Sequence, residues 1–294
     1  MLDARTGAIL SEPKGYFGGV WRSQAIKADA VDNMWIASFE NDSLVVFKDG
    51  NPDRSVSYQQ YLGSKPFGIE VSRDGSGTWV TNSGGLAGEF PSSVARFRLN
   101  ATGELEQFIL RYVGKNLRVV ESDSLGNAWV ASQGDNTVYV FSPSGALLGG
   151  YRGGGIDGPW GLTIDGDDHV WLGNFGPIEP GSIFSRGRLS RLCGANPATW
   201  PRNKKMGDPL SPNTGYTVRS AGSQVLLSNG DPLYGPGAPP SFAPMMRQTS
   251  VQIDAAGNLW TINNWKPDFD IDATTNPGGD GIIIFVGLAP PQPR

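Results

Sequence analysis

Residues 158–174 read GPWGLTIDGDDHVWLGN, and the order of residue types in that stretch decides the fold. A short apolar run ending at Ile164 is followed by a polar turn of Gly and Asp and then by a second apolar run centred on Trp171. Runs this short, bounded by turn formers, are strands and not helices. The same grammar returns along the chain in the blocks DNMWIAS at Trp35, SGTWVTN at Trp79, GNAWVAS at Trp129 and GNLWTIN at Trp260. A third strand follows as SLVVF, TVYVF or GIIIF. Asn41-Asp42, Asp49-Gly50, Asp135-Asn136 and Ser144-Gly145 supply residues that tolerate positive φ at hairpin tips.

The Trp residues are spaced by 44, 50, 42 and 89 residues. A period near 44 with four strands per repeat is that of a propeller blade, in which each sheet buries its faces against its neighbours. The expected fold is therefore all-β, a β-propeller of four-stranded antiparallel blades with five recognisable repeats. Because 89 is close to twice the period, a sixth blade is favoured between Trp171 and Trp260. The alternative is that the Pro- and Gly-rich stretch, about residues 195–247, elaborates a five-bladed ring. Residues 1–294 are read as one domain. The last block ends at GIIIFVGLAPP without a fourth strand, whereas residues 2–14 look like an outer hairpin with no core before it. The N-terminal strand is expected to complete the last blade by pairing with residues 282–286.

Composition narrows the partners. With 24 Lys+Arg against 28 Asp+Glu the net charge is −4, and no basic run is interleaved with aromatics, so nucleic acid is not expected. The single cysteine, Cys193, allows no intramolecular disulfide and reads as a small buried residue. No apolar run approaches the roughly 20 residues of a membrane span, and MLDARTGAIL lacks the cationic start and apolar stretch of a signal peptide. The chain is read as a soluble monomer, its compartment left open.

In an antiparallel blade the start of the first strand and the end of the second lie at the same end of the sheet. The second-strand ends are Ser38, Asn82, Ser132, Asn174 and Asn263, and the first-strand starts are read as Gln24, Phe67, Leu117, Trp160 and Thr249. Amides and aromatics together suit a polar ligand, so Phe67, Asn82, Trp160, Asn174, Asn263 and Trp265 are the candidate contacts. The competing reading is that these residues end strands and cap hairpins. The five central Trp residues are expected to pack between blades. Glu70 and Glu121, on first strands, are candidate ligands for calcium or magnesium, completed by Asn82, Asn174 or Asn263. Asp268, Asp270 and Asp272 read as a solvated acidic loop, and the sole histidine, His169, as a solvated turn residue at the other end of the strands.

The stretches KPFGIEVSRDGSGTWVTN, GPWGLTIDGDDHVWLGN and TSVQIDAAGNLWTINNW resemble the streptogramin lyase (virginiamycin B lyase)-like propellers and the wider NHL-repeat proteins, over most of the chain except about residues 195–247. What the resemblance implies is a propeller. Its lyases carry a His and a Glu that serve a divalent metal and proton abstraction, and at those positions this chain has Phe67 and Trp160, and Asn82, Asn174 and Asn263. Neither amide nor indole holds a proton near neutral pH. The leading expectation is a propeller that binds a small polar molecule or a protein partner. The rivals are a calcium-assisted lyase or lactone hydrolase using Glu70 or Glu121, and an interaction module whose surface is residues 196–246. A streptogramin B substrate incubated with the protein and magnesium should show no ring opening above background; turnover would contradict this reading of the replaced His and Glu.

Overall fold

The computed structural model describes residues 3, 5–11, 13, 15–72, 74–85, 88–176, 187–218, 228–231, 245, 247–264 and 281–291. It divides into two compact units, residues 1–113 and 114–294. In the first, β1 (Ser23–Ala28), β2 (Met34–Ser38), β3 (Ser43–Phe47) and β4 (Ser55–Gln59) form one meander. A second follows in β5 (Pro66–Val71), β6 (Thr78–Asn82), β7 (Ser93–Leu99) and β8 (Leu105–Tyr112). Trp35, Leu44 and Val46 of the first sheet pack against Ile69, Val80 and Phe97 of the second.

The second unit holds three more sheets. The third is β9 (Leu117–Ser122), β10 (Ala128–Ser132), β11 (Thr137–Phe141) and β12 (Leu147–Tyr151). The fourth is β13 (Pro159–Ile164), β14 (Val170–Asn174) and β15 (Arg188–Leu192), and the fifth β16 (Gln248–Ile253), β17 (Leu259–Asn263) and β18 (Ile282–Phe285). Trp129 and Val138 pack against Leu162 and Leu172, and Trp171 and Leu189 against Val251 and Leu259. The only helical segments among the described residues are three-residue 3-10 turns, and none is long and apolar enough to cross a membrane.

Part of the stretch expected to hold a sixth blade belongs to the fourth sheet. Residues 207–216 run beside β15: Tyr216 exchanges backbone hydrogen bonds with Leu189 at 2.8 and 2.9 Å, and Leu210 N donates to Arg191 O at 2.7 Å. Pro209 and Pro212 remove the N–H groups a continuous ladder needs, so only isolated bridges form. Among the described residues there are five sheets, three with four strands and two with three. The inter-blade packing expected for the Trp residues holds at Trp35, Trp129 and Trp171. It does not hold at Trp260, which is 38% exposed.

Four sheets share one device at the first turn. The Asp123 carboxylate accepts from Leu125 N and Asn127 N through Oδ1, and from Asn127 Nδ2 (2.9 Å) and Trp129 Nε1 (2.8 Å) through Oδ2. Asp29 with Trp35 and Asp254 with Trp260 repeat the pattern. So does Asp165 with Trp171, where His169 replaces the amide. Contrary to the solvated reading, His169 is buried. Arg191 Nη2 lies 2.7 Å from its Nδ1, which accepts, since a guanidinium only donates. The second sheet has Ser72 in place of the Asp and one extra residue in the turn; Arg96 donates to Ser72 Oγ (3.0 Å) and lies over the Trp79 ring at 5.1 Å.

Hydrogen bonds from Trp260, and next from Asn258, hold Asp254 down to about 2. Burial pushes Asp165 up, but its bonds from His169 and Trp171 outweigh that and leave it below the usual value. Carboxyls depressed in the fold stabilise it above their unfolded value near 3.8, and that contribution is lost as the pH falls through the folded value. Asp123→Ala would leave buried donors unmatched and should cost about 3 kcal/mol in urea unfolding. Asp254→Ala, in a more open turn, should cost less; equal losses would contradict the dependence on burial.

Candidate ligand-binding site

At the opposite end of the strands from these carboxylates, every first strand begins in the same way. The residue just before it has positive φ: Arg22 (49°), Lys65 (50°), Asn116 (59°), Gly158 (57°) and Arg247 (47°). Outside glycine this backbone is uncommon, and it clusters where structure holds it for a purpose. The next residue pairs with the second-strand end: Ser23 with Ser38, Pro66 with Asn82, Leu117 with Ser132, Pro159 with Asn174 and Gln248 with Asn263. One extra residue then interrupts each ladder as a β-bulge. Bulges re-aim a side chain, and here the position after the pair is Gln24, Phe67, Arg118, Trp160 or Thr249. The third-sheet residue equivalent to Trp160 is thus Arg118. Leu117, taken from the sequence as that strand's start, is fully buried instead.

The amides at the strand ends are buried and turned inward. Asn174 Oδ1 accepts from Asp157 N (2.9 Å), and its Nδ2 donates to Arg188 O (3.1 Å) and Ser190 Oγ (3.0 Å). Asn263 Oδ1 accepts from Gln248 Nε2 at 2.6 Å. Asn82 Nδ2 donates to Gln60 Oε1 and Ser93 Oγ, at 2.8 and 2.9 Å. Phe67 is buried edge-on to Phe39, with 6.4 Å between centroids, and Lys65 Nζ stands over Phe39. Trp265 and the Asp268, Asp270 and Asp272 series lie outside the described residues.

The second unit converts this end into a stack of rings and cations. Trp160 and Phe175 stack with centroids 4.9 Å apart and planes at 26°. The Arg118 guanidinium lies over Trp160 at 4.1 Å and that of Arg247 over Phe175 at 5.2 Å. Arg118 is 2% exposed and Arg247 7% exposed, whereas both rings are half-exposed. Gln133 Oε1 accepts from Arg118 Nε (2.8 Å) and Nη2 (2.7 Å), which orients the guanidinium. Burial pulls the Arg118 pKa down to about 9, so it is still a cation at neutral pH. Beside the stack, Arg188 Nη2 pairs with Asp157 Oδ2 at 2.9 Å.

The sequence reading singled out Trp160 and missed Arg118, Phe175 and Arg247. Aligning Asn116, Gly158 and Arg247 as the residues before each first strand would have found the first and last. Phe175 follows Asn174 as Phe39 follows Ser38.

This donor set does not fit a divalent cation, since guanidiniums and hydrocarbon rings offer no oxygen lone pair. Glu70 and Glu121 lie elsewhere along their strands. Glu70 faces Trp79, about 10 Å from the Asn82 pair by the rise of three residues, and its carboxylate is ion-paired with Lys27. Glu121 faces Trp129. Among the described residues no three His, Cys, Asp or Glu side chains converge. A cleft of about 300 Å³ in the first unit, lined by Asp29, Trp35, Val71, Thr78 and Arg98 among others, opens at the carboxylate end of the sheets.

No protein-family model and no curated protein matches the chain. In fold it is similar to a catalytically inactive virginiamycin B lyase from Staphylococcus aureus with quinupristin. The identity there is 12% and the TM-score 0.52, over 92% of this chain and 71% of that one. It is similar also to the hydrazine synthase of Kuenenia stuttgartiensis, at 12% identity and a TM-score of 0.56 over 89% of this chain and 60% of that one. A third likeness is to a Bacteroides caccae protein of unknown function, at 11% identity and a TM-score of 0.51 over 92% and 80%. The fold is a β-propeller like that of streptogramin lyase, and identities this low carry the fold alone.

The shared entry turn depends on backbone, and Gly158 shows it most sharply: a Cβ there would sit 3.0 Å from Gly176 N at a φ of 57°. Gly158→Ala should cost about 1–2 kcal/mol in urea unfolding. An unchanged midpoint would mean that the left-handed turn is not required.

Proposed function

We propose that this protein binds a small polar ligand without transforming it, in the second unit, at the end where β9, β13 and β16 begin. The observation that carries the reading is the Arg118–Trp160–Phe175–Arg247 stack, assembled from three sheets. The left-handed entry turn and the bulge recur in all five sheets, and in these three they bring Arg118, Trp160 and Arg247 to the same end of the strands. Half-exposed rings beside oriented cations supply contact area and direction together. Turnover is left out of the proposal because no group suited to accept a proton near neutral pH belongs to the stack. Its members are two guanidiniums, an indole and a phenyl ring. His169, the single imidazole, follows β13 at the far end, tied to Arg191. In the strand-end amides, turned inward as they are, the support is for positioning the entry turns.

Truncating a desolvated aromatic anchor commonly costs about 2 kcal/mol or more of binding free energy, and roughly 1.4 kcal/mol is a factor of ten. Trp160→Ala should weaken any ligand found by thermal-shift screening well over tenfold. Trp129→Ala, at a fully buried position, should instead lower unfolding free energy by about 3–5 kcal/mol. If Trp160→Ala binds as tightly as the parent protein, the stack is not the site.

A further inference from the structure

We propose that the fifth sheet is a self-association surface: the face it turns away from the fourth sheet packs against the same face of a second copy of this chain. The result is a two-fold dimer where the sequence reading expects a monomer. Successive side chains point to opposite faces of a strand. In β17, Leu259, Thr261 and Asn263 are buried, whereas Trp260 and Ile262 between them are 38% and 43% exposed. In β18 the pattern continues. Ile283 and Phe285 pack into the cluster that holds Trp171 and Leu189 of the fourth sheet, and Ile282 and Ile284 on the other side are 63% and 44% exposed. Trp260 pairs with Ile284 and Ile262 with Ile282, so the four form one block. On β16 the residues beside them are Gln252 and Ser250. No charge stands among these six side chains.

Other strands of the chain show that such a face is built to be covered. β3 (SLVVF) and β11 (TVYVF) have the same apolar run as β18 (IIIF), and β3 is buried at all five positions, β11 at every position except Tyr139. A run apolar on both faces is the pattern of a strand buried on both. The outer strand β4 reads SVSYQ instead. In the first sheet the face turned away from the second has a cover of its own, since Val20, from the segment before β1, packs against the buried Ile36, Val45 and Phe47.

A second copy fits the face in size, charge and shape. Its four large side chains, with the exposed Val286 just past β18, leave on the order of 400 Å² of apolar surface, about half of the roughly 800 Å² that each partner buries in a stable dimer. The rest of such an interface is a polar rim. The chain carries a net charge of −4, so two copies repel least where the surface holds no charge. A pleated apolar face and its two-fold mate present the same rows to each other, which is the isologous contact of the commonest homo-oligomers.

Sedimentation equilibrium of the full chain, from dilute to concentrated solution, tests this, with amide hydrogen exchange followed at residues 282–286. The mass should rise to twice that of one chain, and exchange in that stretch should slow as it does. Ile284→Lys would press a charge against the second copy and should weaken association about tenfold or more. An unchanged circular dichroism spectrum would show that the sheet is intact; Ile284→Thr, which keeps a β-branched strand former, serves if the lysine unsettles it. Ile26→Lys, at an exposed isoleucine of the first unit, should leave the mass as it is. A single-chain mass at every concentration would overturn the proposal, and protection of residues 282–286 in that monomer would assign the face to a segment of the same chain. Masses beyond two chains would mean a contact that does not close, and a dimer that survives both Ile284 substitutions would place the interface elsewhere; either result overturns the proposal.

Discussion

The Asp123 carboxylate gathers four donors, all from residues within six positions of itself, and the last of them is the indole of the strand it precedes. That arrangement sets the hairpin. Because side chains alternate faces along a strand, a slip of one residue would turn Trp129 away from the core it shares with Leu162 and Leu172. The carboxylate makes such a slip costly by tying backbone and indole to one anchor. Repeated at Asp29, Asp165 and Asp254, the clamp gives four of the five sheets the same starting register.

From that register the other end of each hairpin follows. A strand pair five or six residues long delivers its first-strand start and second-strand end together, and the pairings of Pro66, Leu117, Pro159 and Gln248 record it. The bulge then frees one side chain per sheet from the ladder. Where those side chains are Arg118 and Trp160, with Phe175 and Arg247 brought in by the adjoining turns, the scaffold presents a cation-bearing aromatic stack. One end of the strands thus specifies the fold and the other is available for chemistry. This separation is why a scaffold of this kind tolerates different sites.

The architecture was legible in the sequence because it is local. The Trp blocks, the turn residues and the apolar runs each lie within about 17 residues, and their period fixes the class of fold. The clamp was half visible: its Asp, Asn and Trp were read as a repeat, but the bond from carboxylate to indole spans a turn whose geometry the letters do not state. The site was harder. Arg118 escaped because that strand's start was placed at Leu117, twelve residues before Trp129, whereas Gln24, Trp160 and Thr249 each stand eleven residues before their Trp. Arg247 escaped because it is separated from Trp160 by 87 positions and reaches Phe175 only through the stacking of two sheets. Proline had a parallel effect on the fourth sheet, where an outer strand broken at Pro209 and Pro212 resembled a loop or a degenerate blade.

The strands have a folding end and a binding end, and electron density for a bound molecule tests that division most directly. Crystals of the protein as purified, and crystals soaked in a mixture of small polar molecules, should show density against Trp160 and Phe175, beside Arg118 and Arg247. Density confined to the cleft beside Asp29 and Arg98, with only water along the stack, would place the binding end at the carboxylate clamps and contradict the account.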